Sequence, residues 1–543
     1  FGATHTFNTS CNANSTEATA VEPGSGSTVM SYAGICPDNI QGNSDAYFHA
    51  ISISQIWDNI IYGNSDCAME ASISNQAPVI STLSNYTIPA RTAFVLDGIA
   101  SDVDGDVLTY SWEQQDNEVA VQPPSAESKV GPLFRSRPPI VSSKRYFPSK
   151  EALLTNNLSP TWEVIPEVSR EMNFSLLVRD NNPEGGQIAR SNLVVTTEDT
   201  GEAFEVTSQN TAETLRGGEV YTINWNVAQT NELPIQADFV DIYLILDSDL
   251  ETPIVLKDNA KNDGDARIVI PGDISSTNAR IMVKASNNVF FAINKAVLSI
   301  SPADYALIFD SLEYQICQPE DIDISFTYQT YSSYNETTTF TAIDVPLGLV
   351  VNFSQNQANT TDTQVTINIS GTDNLESGPS VLTVLAESPT GEQKEYPIQL
   401  SMYNTTMEPV VLQSPMDAQT DIPTKSILRW EDYPNANQFE VQVSTTPDFS
   451  TLLDTGIVNS TEFAVENLEA STTYHWRVKP INTCGDGEFS NAFNFTTINI
   501  SCKAQNNNEN IAISSMGASS VTSTIDFLEA GEINQVNVFV DIT

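Results

Sequence analysis

From Asn75 onward the chain alternates apolar and polar residues in short runs, and helical spacing is almost absent. The runs AFVLDGIAS at Ala93, FSLLVRD at Phe174, FVDIYLIL at Phe239, TQVTINIS at Thr363 and FEVQVST at Phe439 are rich in Val, Ile, Thr, Tyr and Phe. They are bounded by Asp, Asn, Gly and Pro. Neighbouring residues of a strand point to opposite faces, so each run can bury one face and wet the other. Strands at this rhythm without intervening helices exclude strand–helix–strand folds. The pattern predicts a mostly β chain of tandem immunoglobulin-like or fibronectin-like sandwiches.

Only residues 1 to about 72 depart from this pattern. In SDAYFHAISISQIWDNII, Ser44 to Ile61, the residues Phe48, Ile51, Ile53, Ile56, Trp57 and Ile60 recur near helical spacing, with N-cap candidates at Asn43, Ser44 and Asp45. The expectation is a small α-containing segment followed by sandwiches. Turn-rich junctions place the modules at 1–72, 75–199, 200–301, 304–406 and 409–498, with a short tail at 502–543. Each central module falls in the usual domain range.

The 543 residues carry 69 acidic against 23 basic side chains, a formal net charge of -46. Phosphate binding needs clustered Lys and Arg, so nucleic acid is excluded as a partner and an anionic membrane surface is disfavoured. Solubility in a saline medium and Ca²⁺ binding fit such a surface. No uninterrupted apolar run reaches the length of a transmembrane helix. The six cysteines form no C-x-x-C pair, which suits an exported protein with a few disulfides. Cys11, Cys36 and Cys67 cluster near the start, while Cys484 and Cys502 bracket the end of one module. Spacing leaves their pairing open.

Two groups of residues suggest chemistry. The first is FGATHTF at Phe1 followed by EPGSGSTVMSYAGIC at Glu22. Together these resemble the reprolysin-like zinc metallopeptidases of the metzincin clan, and NSDAYFH at Asn43 fits the same bacterial branch. The resemblance implies His5 as a third zinc ligand, Met30 as the methionine of the supporting turn and Tyr32 as a residue near the metal and its oxyanion. It also implies that two further histidines and a catalytic glutamate lie upstream of Phe1. With one ligand and no base, the expectation is a fragment of a secreted zinc endopeptidase acting on protein or peptide substrates, inactive by itself. His49 is read as a helix residue rather than a ligand. No G-x-S-x-G segment occurs, and three histidines do not make a Ser-His-Asp set.

The second is DVDGD at Asp102 to Asp106, between a strand-like run and LTYSW. Alternating aspartates around a glycine turn can converge on one hard cation. The segment resembles cadherin-like and PKD-like sandwiches. Asp102, Asp104 and Asp106, completed by Asp180 of VRDNNPEGG, are the candidate Ca²⁺ ligands, and the alternative is an ordinary Asp/Gly turn.

Farther along, Trp225 and the Phe290–Phe291 pair read as core. The segment 409–498 resembles a fibronectin type III domain, with Trp430 as core tryptophan and Tyr474 as core or corner tyrosine. The tail resembles the start of a P/Homo B domain. An alternative to the endopeptidase is a non-enzymatic adhesion protein of tandem sandwiches, anchored at a cell surface or on a polymeric matrix. Either would be secreted or held at the surface of a bacterial cell.

Overall fold

The computed structural model describes residues 2–9, 11, 15–63, 72–466, 468–499, 522–529 and 532–539. Nearly all of its regular structure is strand.

The second module is built around a four-stranded sheet in the order Tyr86–Pro89, Ile188–Glu198, Arg170–Arg179, Thr109–Gln114. Facing it are the strands Ala93–Asp97 and Lys144–Phe147. The phenyl rings between the layers interlock: Phe94 stacks on Phe147 at 4.6 Å, and Phe134 meets Phe147 edge-on at 4.9 Å. Such aromatic pairs add about 0.5–1.5 kcal/mol each beyond their buried area.

The sequence junction at 199/200 is not a break in the fold. Strand Ala93–Asp97 of the second module pairs antiparallel with Phe290–Ile293 of the third, Phe290 opposite Phe94. One sheet therefore runs from Thr214–Arg216 through the third module to Lys144–Phe147. Its hydrophobic core is likewise continuous from Ile88 to Ile300. The turn at Glu198–Gly201 marks a local reversal, and turn chemistry carries no information about which strands pair afterwards. Trp225, Phe290 and Phe291 are buried as expected. The Trp225 indole donates to Asn262 Oδ1 at 2.8 Å.

The fourth module is a sandwich of four and five strands. It is pinned to the third through buried polar groups. Tyr396 donates its hydroxyl to the Gly218 carbonyl at 2.6 Å, and Lys394 donates to the Gly217 carbonyl at 3.0 Å.

The fifth module has sheets of three strands and six. Trp430 and Tyr474 are both buried. The amide of Glu469 donates to the Tyr474 hydroxyl at 2.8 Å, the geometry of a tyrosine corner. The disulfide Cys317–Cys484 ties this module to the fourth. Cys484 thus pairs with Cys317, which sequence spacing did not nominate. Cys67 and Cys502 lie outside the described residues. In the tail, Thr522–Glu529 and Glu532–Phe539 form an antiparallel hairpin. The rest of the stretch likened to a P/Homo B domain lies outside the described residues.

The first segment holds one disulfide, Cys11–Cys36, packed on Phe7. Its helix spans Ala50–Tyr62 rather than beginning at Ser44, because His49 is the cap: its Nδ1 accepts the Ile51 amide. The apolar face expected to be buried is only partly covered: Phe48, Ile51, Ile53 and Ile56 are half-buried. Ala50 and Ser52 are buried, whereas Trp57 and Tyr62 are 62 % and 83 % exposed. No helix among the described residues is long and apolar enough to cross a membrane.

Candidate metal centre

Asp102, Asp106 and Asp180 converge. Each offers a carboxylate oxygen, and the three oxygens lie within 4.8 Å of one another. Asp102 and Asp106 flank Gly105, whose φ of +80° belongs to a turn that glycine adopts without strain. Asp180 ends the strand Arg170–Arg179 and is 2 % exposed.

A second set of groups orients these carboxylates. Asp180 Oδ2 accepts from the Asn75 amide side chain at 2.6 Å, and its Oδ1 accepts from the Asn182 and Gln187 backbone amides. Burial alone would raise the Asp180 carboxyl, but these hydrogen bonds outweigh it and hold the group below the usual aspartate range. Asp106 Oδ2 accepts from Asn182 Nδ2 at 2.9 Å. Asp102 Oδ1 accepts the amides of Asp104 and Asp106, while its Oδ2 is buried without a hydrogen-bond partner. An orphaned buried carboxylate oxygen beside two other carboxylates is what a hard cation with oxygen ligands would satisfy.

Asp104 does not join. Its Oδ2 accepts the Gln76 amide at 2.7 Å, tying the loop to the first residues of the module. Alternation in D-x-D-G-D suggests three aspartates on one side. Gly105 breaks the strand into a turn, so the register no longer holds and Asp104 points elsewhere. Asn75, Asn182 and Gln187 were missed, because amides in loops carry no spacing signal.

The N-terminal residues also come together. His5 Nδ1 lies 3.1 Å from the Met30 carbonyl, and its ring sits edge-on to Tyr32 at 4.4 Å. Among the described residues His5 belongs to no cluster of metal-ligating side chains. The glutamate of EPGSGST explains that segment's composition. Glu22 is fully buried and accepts from the Thr6 and Thr28 hydroxyls and the Ser27 and Thr28 amides. Gly24 has φ +53°, and a Cβ there would meet the Trp162 ring at 2.7 Å. Asn8 donates to the Glu118 carbonyl at 2.8 Å and accepts from Ala120. The segment is thus welded to the second module.

No family model matches the chain, and no curated protein matches it. Similar solved structures are chains of immunoglobulin and fibronectin type III domains. A titin fragment of domains A168–A170 is 13% identical, covering 53% of this chain and 95% of that one at a TM-score of 0.22. The N-terminal eight immunoglobulin domains of Down Syndrome Cell Adhesion Molecule are 10% identical, covering 87% of this chain and 60% of that one at 0.17. Chicken CNTN1 domains FN1–FN3 are 12% identical, covering 52% and 95% at 0.22. These similarities lie at the level of domain type, and the assignment to tandem β-sandwiches stands on the sheets described above. The zinc-metallopeptidase resemblance is corrected. None of these neighbours is a protease.

Proposed function

We propose that this chain is an extracellular, non-enzymatic binding or adhesion protein whose modules form one stiffened array. The observation that carries this reading is the way three successive junctions among the described residues are locked. A shared sheet joins the second and third modules. Buried donors of Lys394 and Tyr396 join the third and fourth, and a disulfide joins the fourth and fifth. A spacer that must present a surface at a fixed distance benefits from such junctions, whereas isolated domains on flexible linkers do not. Two disulfides among the described residues fit an oxidising, exported setting.

Calcium belongs to the same proposal. Asp102, Asp106 and Asp180 would hold the ion, and the Asn75 and Gln76 contacts would couple its binding to the start of the second module. The ion supplies charge neutralisation, and the chain's own amides hold the carboxylates in place.

The test is solid-phase binding of the full chain to whole bacterial cells and to insoluble extracellular polymers, with a peptide-cleavage assay alongside. Saturable binding without zinc-dependent turnover is expected. Absence of binding to any of these surfaces, or clear zinc-dependent cleavage, would overturn the reading.

A further inference from the structure

Between the second and third modules lies a cleft of about 660 Å³, lined by Lys144 on one strand, Tyr243 and Lys284 on two others, and the segment 81–86. It adjoins a second hollow of about 380 Å³ beside Tyr110 and Ile140, and Lys144 and Tyr146 line both. Together they make an elongated groove, longer than one compact ligand fills. The strand Ala93–Asp97 lines it and is paired on both sides, with Lys144–Phe147 and with Phe290–Ile293. The groove is therefore shaped before a ligand arrives, which lowers the ordering cost of binding.

The charges in this lining cancel. Lys144 and Lys284 share the cleft with Asp97 and Glu251. Asp241 and Asp97 offset Lys144 at the Lys284 ammonium, and Glu251 pairs with Lys150 of the second hollow. A compensated lining favours a ligand without net charge, since an added ion would lose its hydration and find no opposite charge left over.

Hydrogen-bonding capacity nonetheless remains. Asp97 is exposed and accepts from the Ser143 hydroxyl through Oδ1 at 2.5 Å, which leaves its Oδ2 for a ligand. Lys144 stands opposite Asp97 in the strand register, and among the described residues its ammonium makes no hydrogen bond or ion pair. A carboxylate beside an ammonium matches two neighbouring hydroxyls, one donating to Asp97 and the next accepting from Lys144. Thr82, Ser84 and Asn287 add exposed hydroxyls and an amide at the rim.

The half-buried rings of Tyr243 in the cleft and Tyr110 in the second hollow supply apolar surface between these polar groups. The C–H face of a sugar ring packs on such surface while its hydroxyls take the polar groups. An apolar ligand would leave those groups unpaired. A zwitterion such as an amino acid would match the charges but fill only one end of the groove.

We propose that this groove binds a neutral polysaccharide chain, with neighbouring hydroxyls on Asp97 and Lys144 and a sugar ring against Tyr243. This names the polymer class for the binding role proposed above and rests on it.

The experiment is calorimetric titration of the full chain with cello-, malto-, manno-, galacto- and xylohexaose, each beside its disaccharide. A galacturonic acid hexasaccharide and free glutamine serve as comparisons. Saturable binding of at least one neutral hexasaccharide is expected, tenfold or more tighter than its disaccharide and than either comparison. Tyr243→Leu and Asp97→Ala should each weaken it tenfold or more, Tyr243→Phe should retain it, and Lys425→Gln in the fifth module should change nothing. Melting curves establish that each variant is folded. Binding of none of the five, equal affinity for the disaccharide, the acidic sugar or glutamine, or unchanged binding in both Tyr243→Leu and Asp97→Ala would overturn the assignment. If all five fail while the chain still binds cells or polymer, only this inference falls.

Discussion

Lys394 crosses from the fourth module to the third and donates to the Gly217 carbonyl at 3.0 Å, with its own side chain 2 % exposed. Its aliphatic stem lies by Tyr305, and its ammonium is 5.4 Å from that ring's centre. The junction therefore rests on this long side chain, buried along its length, together with the Tyr396 hydroxyl on the Gly218 carbonyl.

Lys394→Met keeps the stem and removes the donor, leaving the Gly217 carbonyl unpaired and Glu392 without the ammonium 3.4 Å away. The expected cost is about 1–3 kcal/mol, the penalty for a buried acceptor without a partner. Denaturant unfolding of the full chain measures it. An unchanged midpoint would show that water replaces the ammonium there.

Calcium should raise the melting temperature of the full chain, and a chelator should reverse this. Saturation at a hundred times the dissociation constant corresponds to about 2.7 kcal/mol. Asp102→Asn, Asp106→Asn and Asp180→Asn should each abolish the gain, whereas Asp104→Asn should preserve it, because that carboxylate faces Gln76. Loss of the gain in Asp104→Asn alone would refute the ligand set.

Replacing both Cys317 and Cys484 with serine removes the tie between the fourth and fifth modules. The expected loss is about 2–4 kcal/mol. The two modules should also gain freedom to reorient, read as a broader interdomain distance distribution in small-angle scattering. Peptide mapping without reduction checks the pairing directly, and a Cys484–Cys502 peptide would contradict it.

Acidification should act through His49. The ring is 1 % exposed, and burial pushes its imidazole down to about 4 from an ordinary 6.5. Glu22 opposes that shift, while Arg190, Arg145 and Arg179 reinforce it. Between those values the unfolded chain binds a proton that the folded chain refuses, so stability is intact above the ordinary value and falls as pH drops toward the lower one. The expected loss approaches about 3 kcal/mol. His49→Asn keeps a capping side chain and removes the titration. The advantage of the natural chain over this variant should shrink across that window, and parallel stability curves would exclude the mechanism. Glu113, whose carboxyl burial raises, lies 3.6 Å from His49 Nδ1, so the two titrate as a pair, and Glu113→Gln beside His49→Asn separates their contributions.

The sandwich class was legible from alternation, because a two-residue period determines which face each side chain takes whatever the partner strand. Trp225, Phe290, Trp430 and Tyr474 were legible for the same reason. Asp102, Asp106 and Asp180 could be nominated because carboxylates flanking a glycine turn are a local signal. The EPGSGST segment misled, since its glycines and hydroxyl residues serve equally well to surround a buried glutamate. Glu22 does this through Thr6, Ser27 and Thr28.

Pairing over long sequence distances leaves no local trace. The partner of Cys317 lies 167 residues away, and Phe94 meets Phe290 across a junction that the turn residues mark as a boundary. Local chemistry thus sufficed to make each strand and turn. Which strand edges met, which thiols joined and which carboxylates converged followed from the packing of whole sheets. That packing minimises exposed apolar area and unpaired backbone over the entire array.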